Sequence, residues 1–244
     1  MIENKKQAKY LDVANVITQR IKDKTYMART PLPDQETLAK ELGVSRLTVK
    51  KALDGLERQG LVYKQSGLGT FVSGDIPIRS DIDSPANTVT GLKNEYHNSK
   101  VSSKILLFNV EFPDEQIQRY LDVKKIEPIY NIIRFRYVDD KPLVIEHTFM
   151  PVKLVPDLDE TVLNDSIYDY IHHKLHLKFG HAYRKIRATK SNNYDQEYLD
   201  AKVDDPMLEI EQIVWLTNGQ PIEYSTSRSR YDQRDYTVLE NNRF

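Results

Sequence analysis

Pro31-Leu32-Pro33-Asp34-Gln35-Glu36-Thr37-Leu38-Ala39-Lys40-Glu41-Leu42-Gly43-Val44-Ser45-Arg46-Leu47-Thr48-Val49-Lys50-Lys51-Ala52-Leu53 is the stretch on which the fold of this chain turns. Asp34 is placed to cap a helix whose apolar Leu38, Ala39 and Leu42 share one face, and Gly43 offers the left-handed residue that stops it. Ser45 caps the next helix. There Val49, Ala52, Leu53 and Leu56 recur at i, i+3, i+4 and i+7 and face inward, leaving Arg46, Leu47, Lys50 and Lys51 outward near its start. Two helices joined this tightly form a helix-turn-helix, in which the first residues of the second helix enter the DNA major groove. An Arg in that place can take guanine O6 and N7 together, while Ser45 and Thr48 suit phosphate.

The neighbours support that reading. Tyr10, Ala14, Ile17 and Ile21 are spaced 4, 3 and 4, which predicts an amphipathic helix over residues 9 to 23. After Gly60, the runs 61 to 64 and 70 to 73 read as short strands joined by Gln65-Ser66-Gly67-Leu68-Gly69. Gly67 and Gly69 permit positive φ and close approach to a phosphate, so with Thr70 they make a DNA-contacting wing.

Charge divides along the chain. Residues 1 to 74 hold 13 Lys and Arg against 8 Asp and Glu, a surplus of five, which leaves −6 for the remainder of a chain of net charge −1. The basic part suits a phosphate backbone and the acidic part does not. The absence of cysteine excludes a disulfide framework, a thiolate zinc site and a Cys nucleophile, and fits a reducing compartment. No apolar run reaches the ~20 residues of a membrane span and the first residues lack a signal-peptide core, so a cytoplasmic protein is expected.

Residues 75 to 88 are polar, Pro-bearing and aperiodic, and are read as a linker between a domain over 1 to 74 and another over 89 to 244. In the second, strands are expected at 105 to 110, 129 to 138, 143 to 149, 183 to 191, 208 to 216 and 221 to 229, with hairpins at 139 to 142 and Asn218-Gly219. Helices are expected from Pro113, carrying Ile117, Tyr120 and Leu121, from Asp165 or Ser166, carrying Ile167, Ile171 and Leu175, and over 195 to 202. The class is α+β, an antiparallel sheet with helices on one side.

From Leu32-Pro33 through Gly43-Val44-Ser45-Arg46-Leu47-Thr48-Val49 to Gly67-Leu68-Gly69-Thr70-Phe71-Val72, the chain resembles the GntR family of bacterial transcription regulators. Its C-terminal half resembles the UTRA effector domain of the HutC subfamily, similar in fold to chorismate lyase, at Arg134-Phe135-Arg136-Tyr137, Pro142 to Glu146, Ser166-Ile167-Tyr168-Asp169-Tyr170 and Asn218-Gly219-Gln220-Pro221-Ile222-Glu223-Tyr224. The resemblance implies a repressor that binds an operator as a homodimer and is released by a small anionic metabolite, a sugar phosphate. Carried over, the anion falls to Arg134, Arg136, Ser166 and Tyr168, and the sugar hydroxyls to Glu146 and Glu223. At a position where some members place Tyr, this chain has Ser229. Other departures are Lys24 and Arg29 where the family has loop glycines, Asp34-Gln35 for Ser-Glu, Lys50 for Arg, and Glu36 at a place where some members use an arginine on DNA. A carboxylate facing phosphate is repelled, which leaves Glu36 outside the expected site.

From the residues alone, Arg134 and Arg136 alternate along a strand and share a face, which reads equally as an anion clamp or as two solvated surface arginines. His172 and His176 stand at i, i+4 without the Glu of a His-Glu-x-x-His site, and no metal or cofactor is expected. Two rival readings stand beside the regulator: an enzyme of lyase-like fold acting on a small carboxylate or phosphate, and a constitutive DNA-binding module with a vestigial ligand domain. No nucleophile-base pair appears at diagnostic spacing, so the enzyme reading rests on fold analogy.

Overall fold

The computed structural model describes residues 9–74, 83–85, 91–96 and 99–238. The chain divides into two compact units, the second spanning residues 82 to 237. Most of the stretch read as linker, and the expected start of the second domain at residue 89, lie outside the described residues.

The first unit runs α1 (Lys9–Lys22), α2 (Gln35–Glu41), α3 (Arg46–Arg58), β1 (Val62–Gln65) and β2 (Gly69–Val72). Each start has its cap. Asp34 accepts from the Glu36 and Thr37 N–H groups at 2.9 and 2.8 Å, and Ser45 from the Thr48 N–H at 3.2 Å. Gly43 takes φ +63 after α2, as its placement predicts. Leu38, Val49, Ala52, Leu53 and Leu56 are buried with Val62 and Val72 of the hairpin. On α1 the buried pair is Val13 and Ile17, with Ala14 and Ile21 partly covered, while Tyr10 is exposed. The three-helix core takes the middle of α1, so a first-turn residue such as Tyr10 finds little to pack against. β1 and β2 pair antiparallel, with Tyr63 opposite Phe71 and their rings stacked at 5.6 Å. Lys64 of β1 bonds Asp54 and Glu57 of α3, which ties the hairpin to that helix.

The second unit contains β3 (Asp83–Pro85), α4 (Leu92–Glu95), β4 (Val101–Glu111), α5 (Glu115–Leu121), β5 (Ile129–Val138), β6 (Lys141–Pro151), α6 (Glu160–Asn164), α7 (Ile167–Asp169), β7 (Phe179–Lys190), α8 (Asn193–Tyr198), β8 (Pro206–Leu216), β9 (Pro221–Arg230) and β10 (Asp235–Thr237). A π-helical turn, Tyr170–Lys174, continues α7. Six strands form one antiparallel sheet in the order β4-β5-β6-β9-β8-β7. Both hairpins expected from sequence are present: Asp139 and Asp140 take φ 49 and 61 between β5 and β6, and Gly219 takes φ 83 between β8 and β9.

Helices cover both faces of this sheet rather than the single face expected. Ile167 and Ile171 pack with Tyr130, Ile132, Met150, Val214 and Ile222, whereas α5 packs Ile117 and Leu121 on Ile129 and Tyr224. Ile129 and Tyr130 are strand neighbours and point to opposite faces. β3, inside the stretch read as linker, pairs parallel with β10, so Asp83 stands opposite Asp235 and Pro85 opposite Thr237. Three-residue strands carry too little periodicity to be read from sequence. The helix expected from Asp195 begins earlier: Asn192 caps it and Asp195 is the return partner of a capping box.

Candidate functional site

Two surfaces gather the residues singled out in the sequence, one in each unit. On the first, Arg46, Leu47, Lys50 and Lys51 are exposed on α3, and Leu47 is 61 % exposed despite being apolar. Ser45 Oγ and Thr48 Oγ1 lie 2.8 Å apart at the helix start. Gly67 (φ 75) and Gly69 (φ 114) hold left-handed backbone in the hairpin loop, where Leu68 is exposed at the tip and Thr70 is half-buried beside it. Glu36, set aside in the sequence reading, has its carboxylate 3.8 Å from the Arg46 guanidinium, and Gln35 accepts from Arg46 Nε at 3.4 Å.

The second surface is a cavity of about 110 Å³ inside the C-terminal unit. The sheet register builds its floor. Arg134 faces Glu146 across β5 and β6, Glu146 faces Ser227 of β9, and the adjacent row runs Thr148, Ser225, Gln212, Arg184 across β6, β9, β8 and β7. Ser166, Ile167 and Tyr168 from α7, Leu92, Lys93 and Glu95 from α4, and Arg234 and Tyr236 near the end of the chain complete the walls. Of the effector residues expected from sequence, Arg134, Arg136, Glu146, Ser166, Tyr168 and Glu223 all line it. Ser229 does not. It lies one step of alternation beyond Ser227 on β9, fully buried, past the end of the cavity.

Arg134 and Arg136 are 5 % and 3 % exposed, so they are not solvated surface arginines. Arg134 Nη1 donates to the Leu163 carbonyl at 2.8 Å and Nη2 to Glu146 Oε2 at 2.7 Å, while Arg136 Nη1 lies 3.5 Å from that same oxygen. Burial pushes the Glu146 carboxyl up, but Arg134 and then Arg136 outweigh it and hold it below the usual carboxylate range. Glu223 goes the other way. Burial raises it, against the bonds it accepts from Ser225 Oγ at 2.6 Å and Gln212 Nε2 at 2.8 Å. Burial and the neighbouring Glu223 also push the Tyr168 hydroxyl up. Arg134 Nε, Arg136 Nε and Glu223 Oε2 are buried and bond no described residue. A buried polar group without a partner is costly, and all three atoms belong to side chains that line the cavity.

The charged side chains of the lining are more basic than acidic, although Lys93 is also paired with Asp165. Lys93, Arg134, Arg136, Arg184 and Arg234 line the cavity against Glu95, Glu146 and Glu223. The cavity is therefore suited to an anion. The sequence reading missed Lys93, Arg184, Gln212 and Arg234, which come from α4, β7, β8 and the segment just before β10. Arg184 and Gln212 become neighbours only through the β7 and β8 register, where Arg184 Nε donates to Gln212 Oε1 at 2.9 Å. Arg234 Nη2 donates to Glu95 Oε2 at 2.7 Å across 139 residues of sequence. Nothing local marks either. His172, His173 and His176 are exposed around the π-helical turn, outside the cavity lining.

Comparison with known proteins bears on both surfaces. Residues 9–72 match the bacterial regulatory proteins of the gntR family, and residues 97–235 match the UTRA domain. The chain is 41 % identical over 225 residues to the HTH-type transcriptional regulator GmuR of Bacillus subtilis, covering 92 % of this chain and 95 % of that one. The crystal structure of the possible transcriptional regulator YydK of Bacillus subtilis superposes with a TM-score of 0.78 at 30 % identity, over 96 % of this chain and 100 % of that one. The effector-binding domain of the Bacillus subtilis trehalose repressor TreR superposes with a TM-score of 0.53 at 27 % identity, over 59 % of this chain and 99 % of that domain.

Proposed function

This chain belongs to the gntR family of bacterial regulatory proteins, with a UTRA domain behind its helix-turn-helix, and from that premise we propose that it is a repressor released from its operator by a sugar phosphate. It is a transcription regulator and not an enzyme. Ser45, Arg46, Leu47, Thr48, Lys50, Gly67, Gly69 and Thr70 form the operator surface, and a homodimer places two of them on a palindromic site. The phosphate is held by Arg134, Arg136, Ser166 and Tyr168, with Arg184 and Lys93 adding positive charge. Glu223 and Gln212 take sugar hydroxyls.

One observation carries the choice of an anion: two buried guanidiniums side by side, sharing one carboxylate, with an uncommitted Nε on each. The sugar half of the reading is supported by the trehalose repressor, whose effector domain has this fold. Release follows when the effector binds more tightly to a dimer whose two recognition helices are not spaced to fit the operator. Coupling of ~1 to 3 kcal/mol is typical and lowers operator affinity ~5- to ~150-fold.

A thermal-shift screen of sugar phosphates, with the parent sugars and inorganic phosphate alongside, tests this. A ligand at ~100 times its Kd stabilises by ~2.7 kcal/mol, and that ligand should release DNA in a gel shift. A ligand that stabilises without releasing DNA favours the constitutive module. Stabilisation by sugars and not by their phosphates removes the phosphate from the reading.

A further inference from the structure

We propose that Glu36 reads a base: its carboxylate accepts a hydrogen bond from the N4 amino group of a cytosine in the major groove, beside the guanine taken by Arg46. The inference rests on α3 being the recognition helix. Glu36 lies in the first turn of α2, with its carboxylate 3.8 Å from the Arg46 guanidinium at the start of α3. Both side chains are more than two-thirds exposed.

The fold gains little from this carboxylate: as the acidic residue in the first turn of α2 it meets the positive end of the helix, a small effect at an exposed position. Asp34 already caps α2 and takes the Glu36 N–H itself. An ion pair of this length and exposure contributes little to stability. A negative charge on a surface that also exposes Lys40, Lys50 and Lys51 and must approach a polyanion lowers affinity for every sequence alike, unless a particular base repays it. Arg46 limits that cost, because the pair enters the groove with no net charge.

The groove chemistry selects the base. A carboxylate only accepts hydrogen bonds, and guanine O6 and N7 and thymine O4 are acceptors that repel it. Adenine offers N6, but its N7 acceptor stands alongside. Cytosine presents its amino group next to a C–H edge, which makes it the base an acid prefers. A carboxylate within reach of an arginine that spans guanine therefore reads a cytosine adjacent to that guanine. Arg46 discriminates the guanine through its paired donors, and Glu36 adds discrimination at the neighbouring step, where an acceptor is needed.

Selection from a randomised duplex library, run with the full-length parent, Glu36→Gln, Glu36→Ala and Arg46→Ala, tests the assignment, with affinities then measured by fluorescence anisotropy. The parent should enrich one cytosine per half-site, with discrimination of roughly tenfold or more. Glu36→Ala should lose that preference and keep the guanine, while binding unrelated duplex more tightly. Enrichment of the same sequence by Glu36→Ala and the parent overturns the proposal. So does loss of the guanine preference with the cytosine retained, which makes Glu36 only a positioning residue for Arg46. If Arg46→Ala enriches the parent sequence, the fault lies with the recognition helix and not with Glu36 alone.

Discussion

Arg134 and Glu146 are direct register partners on β5 and β6, and their side chains meet at 2.7 Å inside the C-terminal cavity. Two arginines on one strand face need an anion between them, and the chain itself supplies part of it. Arg136 leans on the same Glu146 oxygen at 3.5 Å. The clamp expected from sequence is thus a three-residue cluster with one surplus positive charge.

That cluster changes what loss of an arginine should do. Arg134→Ala removes the donor to the Leu163 carbonyl and leaves Glu146 with only the longer contact, so it should destabilise the protein by ~3 to 5 kcal/mol. Removing Glu146 as well should cost less than the sum of the single changes. Urea unfolding of the four members of the double-mutant cycle measures this, and additive losses would show that the two side chains do not interact.

Arg136 is the cleaner probe of effector binding, because its contact with Glu146 is long. Arg136→Ala should leave operator binding intact and weaken the effector by one charge-assisted bond, ~1.5 to 3 kcal/mol. In a cell the variant should repress even when inducer is present. Calorimetry showing parent affinity for the effector moves the anion to the Arg184 side of the cavity.

Glu223 and Glu146 should give opposite pH signatures. The folded protein raises Glu223, so its contribution to stability is full below the unfolded carboxylate value and is lost as pH rises through the folded value. It lowers Glu146, whose contribution is present above the unfolded value and lost as pH falls through the folded one. Glu223→Gln should therefore gain on the parent as pH rises from about 4 to about 8, followed by melting temperature. A constant difference across that range would mean that Glu223 titrates like an exposed carboxylate.

The DNA-reading half was legible because its signals are local. Caps at Asp34 and Ser45, the left-handed Gly43 and the spacing of Val49, Ala52, Leu53 and Leu56 each fall within one turn or one helix. Half the cavity was legible for the same reason, since Arg134 and Arg136 share a strand and Ser166 and Tyr168 a helix start. Arg184, Gln212 and Arg234 were not, because strand register and a contact across 139 residues bring them in. The α5 packing on the far sheet face was missed because β5 is buried on both sides over Ile129 and Tyr130, which erases the alternation that marks a solvated face.

The loop before α2 keeps the backbone of a glycine loop without the glycines. Lys24 and Arg29 take φ 59 and 64, a region that strains any residue with a Cβ. Lys24 is exposed and follows the end of α1, so Lys24→Gly should stabilise the protein by ~0.5 to 1 kcal/mol, the relief of strain exceeding the added freedom of the unfolded chain. Chemical denaturation decides the sign, and a loss would show that the Lys24 side chain holds a contact worth more than the strain.

Arg46 and Lys51 should separate base reading from phosphate binding on one helix. Arg46 opens α3 and Lys51 follows nearly a turn and a half later, both exposed. Only the first residues of a recognition helix reach base edges, and those further along face the backbone. Arg46→Ala should then cost ~1 to 3 kcal/mol on the operator and little on unrelated duplex, flattening preference at one base step. Lys51→Ala should weaken every duplex alike and reduce the slope of log affinity against log salt by about one. Because neither side chain is buried, both variants should melt like the parent, which keeps the comparison free of folding effects. Titrations at several salt concentrations against operator and scrambled duplex distinguish the two. If Arg46→Ala loses equally on both duplexes, its guanidinium lies on phosphate, and base reading belongs to Leu47 and Lys50 instead.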